Sequence, residues 1–198
     1  MCGIISITGK NTRTYNEQIL DSMLGTLSKR GPNDKGTLTF PSCILGQTRL
    51  SIIDLSGGHQ PMPDNKRDMA ITFNGEIYNY RELKKELEAR GYTFSTNSDT
   101  EVILKAYQEY GDECPKHLDG MFAFAIWDNE KDELFIARDR FGKKPLYYAF
   151  DDEQNLIIAS EIKAIFASGQ IKGIVDFEAI DNYLHLLYIP PCKTVYKN

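Results

Sequence analysis

Cys2 stands between the initiator methionine and Gly3. A cysteine side chain is small enough for that methionine to be removed, which would give Cys2 a free α-amino group. One residue would then hold a thiol nucleophile and, in an amine that titrates close to neutral pH, a base for its proton. Read alone, a small residue at position 2 carries no chemistry, so the other groups must decide. Asn74-Gly75 follows the apolar run Ala70-Ile71-Thr72-Phe73 and reads locally as a turn. The same pair can present a side-chain amide and a backbone N–H together, which makes an oxyanion hole. Arg49 is either a surface charge or a planar clamp for a free carboxylate. Asp99, within Ser98-Asp99-Thr100-Glu101, is placed to cap a helix or, with Glu76, to hold an ammonium group. Thiol, amine base, oxyanion hole, carboxylate clamp and ammonium clamp suit an α-amino acid whose side-chain carbonyl is attacked.

Several elements must bring these residues together. Gly3 to Gly9 reads as a buried strand, and Ile19, Met23, Leu24 and Leu27 recur at helical spacing until Arg30-Gly31-Pro32. Short strands are expected over 36–40, 44–47, 50–54 and 69–73. Helices are expected over 80–90 and 99–110, ended by Gly91 and Gly111. Four strands follow, over 121–127, 133–139, 146–150 and 156–160, and then helices over 161–167 and 177–187. Strand clusters split by helix pairs, without strict βαβ alternation, imply an α+β fold with mainly antiparallel sheet.

The chain has 198 residues, 41% hydrophobic and 26% charged, which suits one globular domain with a real core. Its formal net charge of -5 argues against nucleic acid or an acidic membrane surface as partner. No apolar run approaches a membrane span and no basic-then-apolar leader opens the chain, so cytoplasm is the expected location. Cys2, Cys43, Cys114 and Cys192 show no C-x-x-C spacing and no histidine at ligand distance, so no metal site is expected. His59, His117 and His185 are isolated and read as structural or solvent-facing.

Nine motifs occur in order along the chain. They are Cys2-Gly3-Ile4, Arg30-Gly31-Pro32, Arg49 to Leu55, Gln60-Pro61-Met62, Asn74 to Asn79, Ser98 to Val102, Gly120 to Ala125, Arg138 to Tyr148, and Ser160 to Lys163. In this series the chain resembles the glutaminase domain of glutamine-hydrolysing asparagine synthetases. The resemblance implies a class II glutamine amidotransferase domain with the N-terminal nucleophile hydrolase fold, a four-layer αββα sandwich of two mainly antiparallel sheets. It implies that Cys2 is the nucleophile and its α-amino group the base. Asn74 and Gly75 would form the oxyanion hole, Arg49 would bind the glutamine α-carboxylate, and Glu76 and Asp99 would hold its α-amino group. Main-chain atoms around Leu50, Ile52 and Ile53 would add contacts, and Arg30 would shape the loop near the N-terminus. On this resemblance residues 1–188 form the glutaminase domain, and 189–198 begin a linker to an ATP-dependent synthetase domain that the chain lacks. The expected partners are L-glutamine and that synthetase domain, with a homodimer left open. No cofactor is expected here, since ATP and Mg would belong to the missing domain.

Three features test the resemblance. Asn33 stands where families of this type commonly have aspartate, which puts the local loop electrostatics in question. Ser56-Gly57-Gly58 resembles the start of an ATP pyrophosphatase loop, but His59-Gln60 follows it, so it is rejected as an ATP site. Glu76 after Asn74-Gly75 argues against amidotransferases such as glucosamine-6-phosphate synthase or the first enzyme of purine synthesis. A relative amidating a different carboxylate, and a catalytically silent binding domain, stay open as alternatives.

Overall fold

The computed structural model describes residues 1–55, 57–66 and 68–197. Its first sheet takes β1 (Gly3–Thr8), β2 (Asp34–Thr39) and β3 (Cys43–Arg49), completed by the later strands β8 (Tyr147–Phe150) and β9 (Leu156–Ala159), in the order β2-β3-β1-β9-β8. The second takes β4 (Met62–Pro63), β5 (Met69–Ile77), β6 (Gly120–Asp128) and β7 (Glu133–Arg138) in chain order. Every pairing is antiparallel.

Side-chain alternation explains the four layers. Ile5, Ile7 and Ile44 leave the first sheet on one face and meet Leu20, Met23 and Leu24 of α1 (Glu17–Thr26) and Ala164 and Ile165 of α4 (Ile162–Phe166). Ile71, Phe73, Phe122 and Phe124 leave the second sheet on its far face. They meet Leu83 and Leu87 of α2 (Tyr80–Ala89) and Val102 and Ile103 of α3 (Asp99–Tyr110). The intervening residues Cys43, Leu45, Ala70 and Trp127 pack between the sheets. The fold is therefore the αββα sandwich expected from the sequence.

Local chemistry sets the bounds. The Asn16 side chain caps α1 by accepting from the Ile19 N–H at 3.0 Å. After α1 the chain passes against β3 so closely that a Cβ on Gly31 would collide with the Thr48 backbone, and only glycine fits such an approach. At the far end α5 (Phe177–Leu186) follows an Asp176 cap. The residues read as a linker pack back, with Val195 and Lys197 bonded to the backbones of Asp176 and Ile174 and Tyr196 edge-on to Phe166. Among the described residues no helix is long and apolar enough to cross a membrane.

Two local expectations are corrected. Residues 50–54 form a loop rather than a strand, because Arg49 draws the carbonyls of Ile53, Asp54 and Leu55 around its guanidinium. Asn74-Gly75-Glu76 is not a turn, since β5 runs on to Ile77 and pairs all three residues with Ala123, Phe122 and Met121. The rejected Ser56-Gly57-Gly58 motif falls partly outside the described residues, at Ser56.

Candidate active site

Strand alternation aims the candidate side chains at one end of the space between the sheets. Arg49 continues the inward-facing series Cys43, Leu45, Gln47, while Asn74 and Glu76 continue Ala70 and Thr72 from the opposite sheet. Cys2 precedes β1 directly, and its sulfur accepts from the Leu50 N–H at 3.4 Å. All nine site residues named from the sequence (Cys2, Arg49, Leu50, Ile52, Ile53, Asn74, Gly75, Glu76 and Asp99) line one small pocket of about 70 Å³. A larger groove of about 850 Å³, between Tyr15, Leu20 and Phe40, contains none of them.

The residues expected to form an oxyanion hole have a specific geometry. Asn74 is fully buried, and among the described residues neither its Nδ2 nor its Oδ1 has a hydrogen-bond partner. Buried amides are normally satisfied, so an unpartnered one lining a pocket is held ready for a ligand. Gly75 pairs with Phe122, whose own N–H and carbonyl point away to Asp139. The pair is therefore of the non-hydrogen-bonded kind, and the Gly75 N–H turns to the other edge of β5. Side chains satisfy that edge on either side of it. Gln60 Oε1 accepts from the Phe73 N–H at 2.8 Å, Gln47 Nε2 donates to the Phe73 carbonyl at 2.9 Å, and Asp99 Oδ2 accepts from the Ile77 N–H at 3.2 Å. A Cβ at Gly75 would strike the Met121 carbonyl and the Phe73 ring.

The candidate groups for holding an amino acid surround this edge. Arg49 is buried, and its Nη1 and Nη2 donate to the loop carbonyls described above, so it organises 50–55 while lining the pocket. Asp99 does not cap α3. Ser98 does, by accepting from the Thr100 N–H at 3.2 Å, which leaves the Asp99 carboxylate to face β5 and the pocket. Burial pushes the Asp99 carboxyl up to about 6. The N–H groups of Ile77 and Thr100 oppose that rise, and the charge of Glu76 adds to it.

The remaining candidates fall into place around them. Arg30 Nε donates to the Cys2 carbonyl at 2.9 Å and Nη1 reaches Glu161 at 2.9 Å, so Arg30 fixes the N-terminal segment. Asn33 Oδ1 accepts from the Ser51 N–H at 3.0 Å, a task that an aspartate could perform equally. Burial raises the Cys43 thiol and pushes Cys114 up to about 12, which makes both poor nucleophiles. His117 stacks on Tyr110, while His59 and His185 are exposed partners of Asp34 and Asp181. Sequence reasoning gave no role to Gln47, Gln60, Ser98, Thr100 or Lys144. For Gln47 the one signal was a polar residue in an otherwise apolar strand, while Gln60 and Lys144 lay inside quoted motifs.

Comparison with known proteins agrees with this arrangement. A family model described as a glutamine amidotransferase domain matches residues 1–198. The chain belongs to that family. It is 44% identical over 179 residues to asparagine synthetase [glutamine-hydrolyzing] 3 of Bacillus subtilis, covering 89% of this chain and 29% of the relative. With asparagine synthetase B of Escherichia coli it shares 46% identity over 166 residues, covering 83% of this chain and 30% of the relative. The chain thus spans about a third of the length of these relatives. The solved structure of glutamine phosphoribosylpyrophosphate amidotransferase from B. subtilis superposes with a TM-score of 0.71 at 23% identity, over 88% of this chain and 45% of that one. That likeness supports the fold. As a glutamine amidotransferase domain, the chain brings its candidate nucleophile, oxyanion donors and amino-acid clamps into a single pocket.

Proposed function

We propose that this amidotransferase domain hydrolyses L-glutamine to L-glutamate and ammonia through a thioester on Cys2, and that the ammonia serves ATP-dependent formation of asparagine from aspartate. The observation that carries the reading is the unpartnered Asn74 amide beside the open Gly75 N–H, both on the pocket that Cys2 lines. Once Met1 is removed, the Cys2 amine takes the thiol proton. The sulfur lone pair bonds to the carboxamide carbon, and the carbonyl π pair moves to oxygen, toward Asn74 Nδ2 and the Gly75 N–H. As that pair returns, the C–N bond breaks and the nitrogen leaves as ammonia with the proton held by the amine. Water then cleaves the thioester, releasing glutamate and restoring the thiol. Binding substrate alone gives no acceleration; the gain comes from donors matched to the developing oxyanion.

Arg49 takes the α-carboxylate through the N–H groups that the loop leaves free, Glu76 and Asp99 take the α-ammonium, and Leu50, Ile52 and Ile53 close the side. No cofactor enters these steps. In this reading ATP and Mg belong to a synthetase domain that residues 189–198 lead toward, and the protein works in the cytoplasm. Exposed Phe177, Leu184 and Leu187 on and just beyond α5 offer apolar surface for that domain.

The test is intact mass after exposure to an electrophilic glutamine analogue, paired with a glutamate assay. The expected result is a species without Met1 carrying one adduct, no adduct in Cys2→Ala, and a kcat lowered roughly 10²–10³-fold in Asn74→Ala. A processed, folded protein that accepts no analogue and releases no glutamate would make the domain a silent binding module.

A further inference from the structure

Lys144 is a cation that the glutaminase chemistry above leaves unused. It is only 7% exposed, and it lines the same pocket as Cys2, Asn74 and Gly75. Among the described residues its ammonium has neither an ion-pair nor a hydrogen-bond partner. Its Nζ is not sealed among the fully buried, unpartnered atoms, so the stem is covered while the charge is left free to meet a group in the pocket. The other charged residues lining the pocket are Arg49, Glu76 and Asp99. Arg49 is engaged with loop carbonyls, and the two acids are suited to an ammonium group.

The backbone of Lys144 is held firmly. After β7 the chain turns around Asp139, whose Oδ2 accepts from the Lys144 N–H at 3.0 Å and from the Phe122 N–H at 3.2 Å. Its Oδ1 accepts from Phe141 and Lys143, and Arg138 Nε donates to the Lys144 carbonyl at 2.6 Å. Phe122 is the register partner of Gly75. One carboxylate thus ties the Lys144 backbone to Phe122, the residue opposite Gly75, and Lys144 lines the pocket together with Asn74 and Gly75. A lysine is a compact point charge on a flexible stem, suited to following charge rather than gripping a fixed carboxylate.

We propose that Lys144 supplies a positive charge to the pocket that Cys2, Asn74 and Gly75 line, stabilising the negative charge as it passes from the Cys2 sulfur to the carboxamide oxygen. Lys144 transfers no proton and forms no bond to the substrate. It is a third electrostatic donor beside Asn74 and Gly75, and it acts on the transition state more than on bound glutamine. The inference rests on the glutaminase reading.

Lys144→Met keeps the length and removes the charge, Lys144→Arg keeps the charge, and Lys144→Gln guards against a folding defect in the first. Each is compared with the processed wild type for glutaminase kcat and KM, for the pH dependence of Cys2 modification by the glutamine analogue, and for thermal unfolding. Lys144→Met and Lys144→Gln should lower kcat about 10- to 100-fold while KM changes much less, and the modification profile should move to higher pH. Lys144→Arg should recover most of the rate. The proposal is overturned if both neutral variants, melting like the wild type, keep kcat and the modification profile. It is equally overturned if they raise KM alone, which would make Lys144 a ground-state contact. A wild type that neither hydrolyses glutamine nor takes the analogue would sink the glutaminase reading itself, and this inference with it.

Discussion

Buried at the start of α3, the Asp99 carboxyl is pushed from its ordinary 3.8 up to about 6. Between those values the folded protein keeps a proton that the unfolded chain has lost, so stability falls as pH rises across the window. Above pH 6 the site holds an ionised, partly desolvated carboxylate, which is the form that binds an ammonium. Asp99→Asn should therefore raise the melting temperature at pH 8 and change it far less at pH 4, while raising KM for glutamine above about pH 6. In the wild type KM should climb as pH drops below about 6. Scanning calorimetry from about pH 4 to about pH 8, with initial rates on both sides of about pH 6, would show both trends. Equal melting curves at pH 8 would mean that Asp99 is already relieved by another partner.

At the scale of elements, the loop after β3 is the piece that sequence pattern misassigned and hydrogen bonding built. Asp54 is its hub. Its carbonyl accepts from Arg49 Nη2 at 2.7 Å, while its carboxylate accepts from the Gly57 N–H and, across the site, from the Asn97 N–H at 2.8 Å. The bonds from Asn97 and Gly57 hold the Asp54 carboxyl below its usual range. Asn97 immediately precedes Ser98 and Asp99, so this residue joins the loop shaped by Arg49 to the helix that carries Asp99. Asp54→Ala should loosen that join and raise KM for glutamine roughly three- to tenfold, with kcat changed much less, as expected when ground-state and transition-state binding fall together. A fall in kcat at constant KM would place Asp54 with the oxyanion side instead.

For the whole molecule, the core layers and the N-terminal residue are separate parts. Met1 belongs to none of the three buried clusters described above, and its contact is with Arg30, whose Nη2 lies 3.9 Å from its Sδ. A form in which Met1 is retained should melt within about 1 kcal/mol of the processed protein, because position 1 is exposed and away from the core. It should take no glutamine analogue, since an amide nitrogen cannot accept the thiol proton. Comparing the two forms by denaturation and intact mass separates folding from activation. A retained-Met1 protein that still formed the adduct would move the base to another group.

The sequence determined most of the elements, the α+β class and the candidate set. Period-2 and period-3.6 apolar patterns place α1, α2, α3 and the late strands close to their observed bounds, because burial of an apolar face is a local demand repeated along each element. The candidate residues were legible because nine motifs occur in order, and those beginning at Cys2, Arg49, Asn74 and Ser98 carry residue types that the proposed chemistry needs. Tertiary structure decided what those residues can do. Asn74-Gly75 is strand rather than turn because β6 pairs along its whole length, which no two-residue pattern encodes. Ser98 rather than Asp99 takes the cap, which leaves the acid for the pocket. Gln47 and Gln60 finish the edge of β5 from distant segments, and Lys144 arrives beside Cys2 from the turn after β7. Each of these is a contact between residues far apart in the chain, fixed by burial and hydrogen-bond satisfaction in three dimensions rather than by neighbouring sequence.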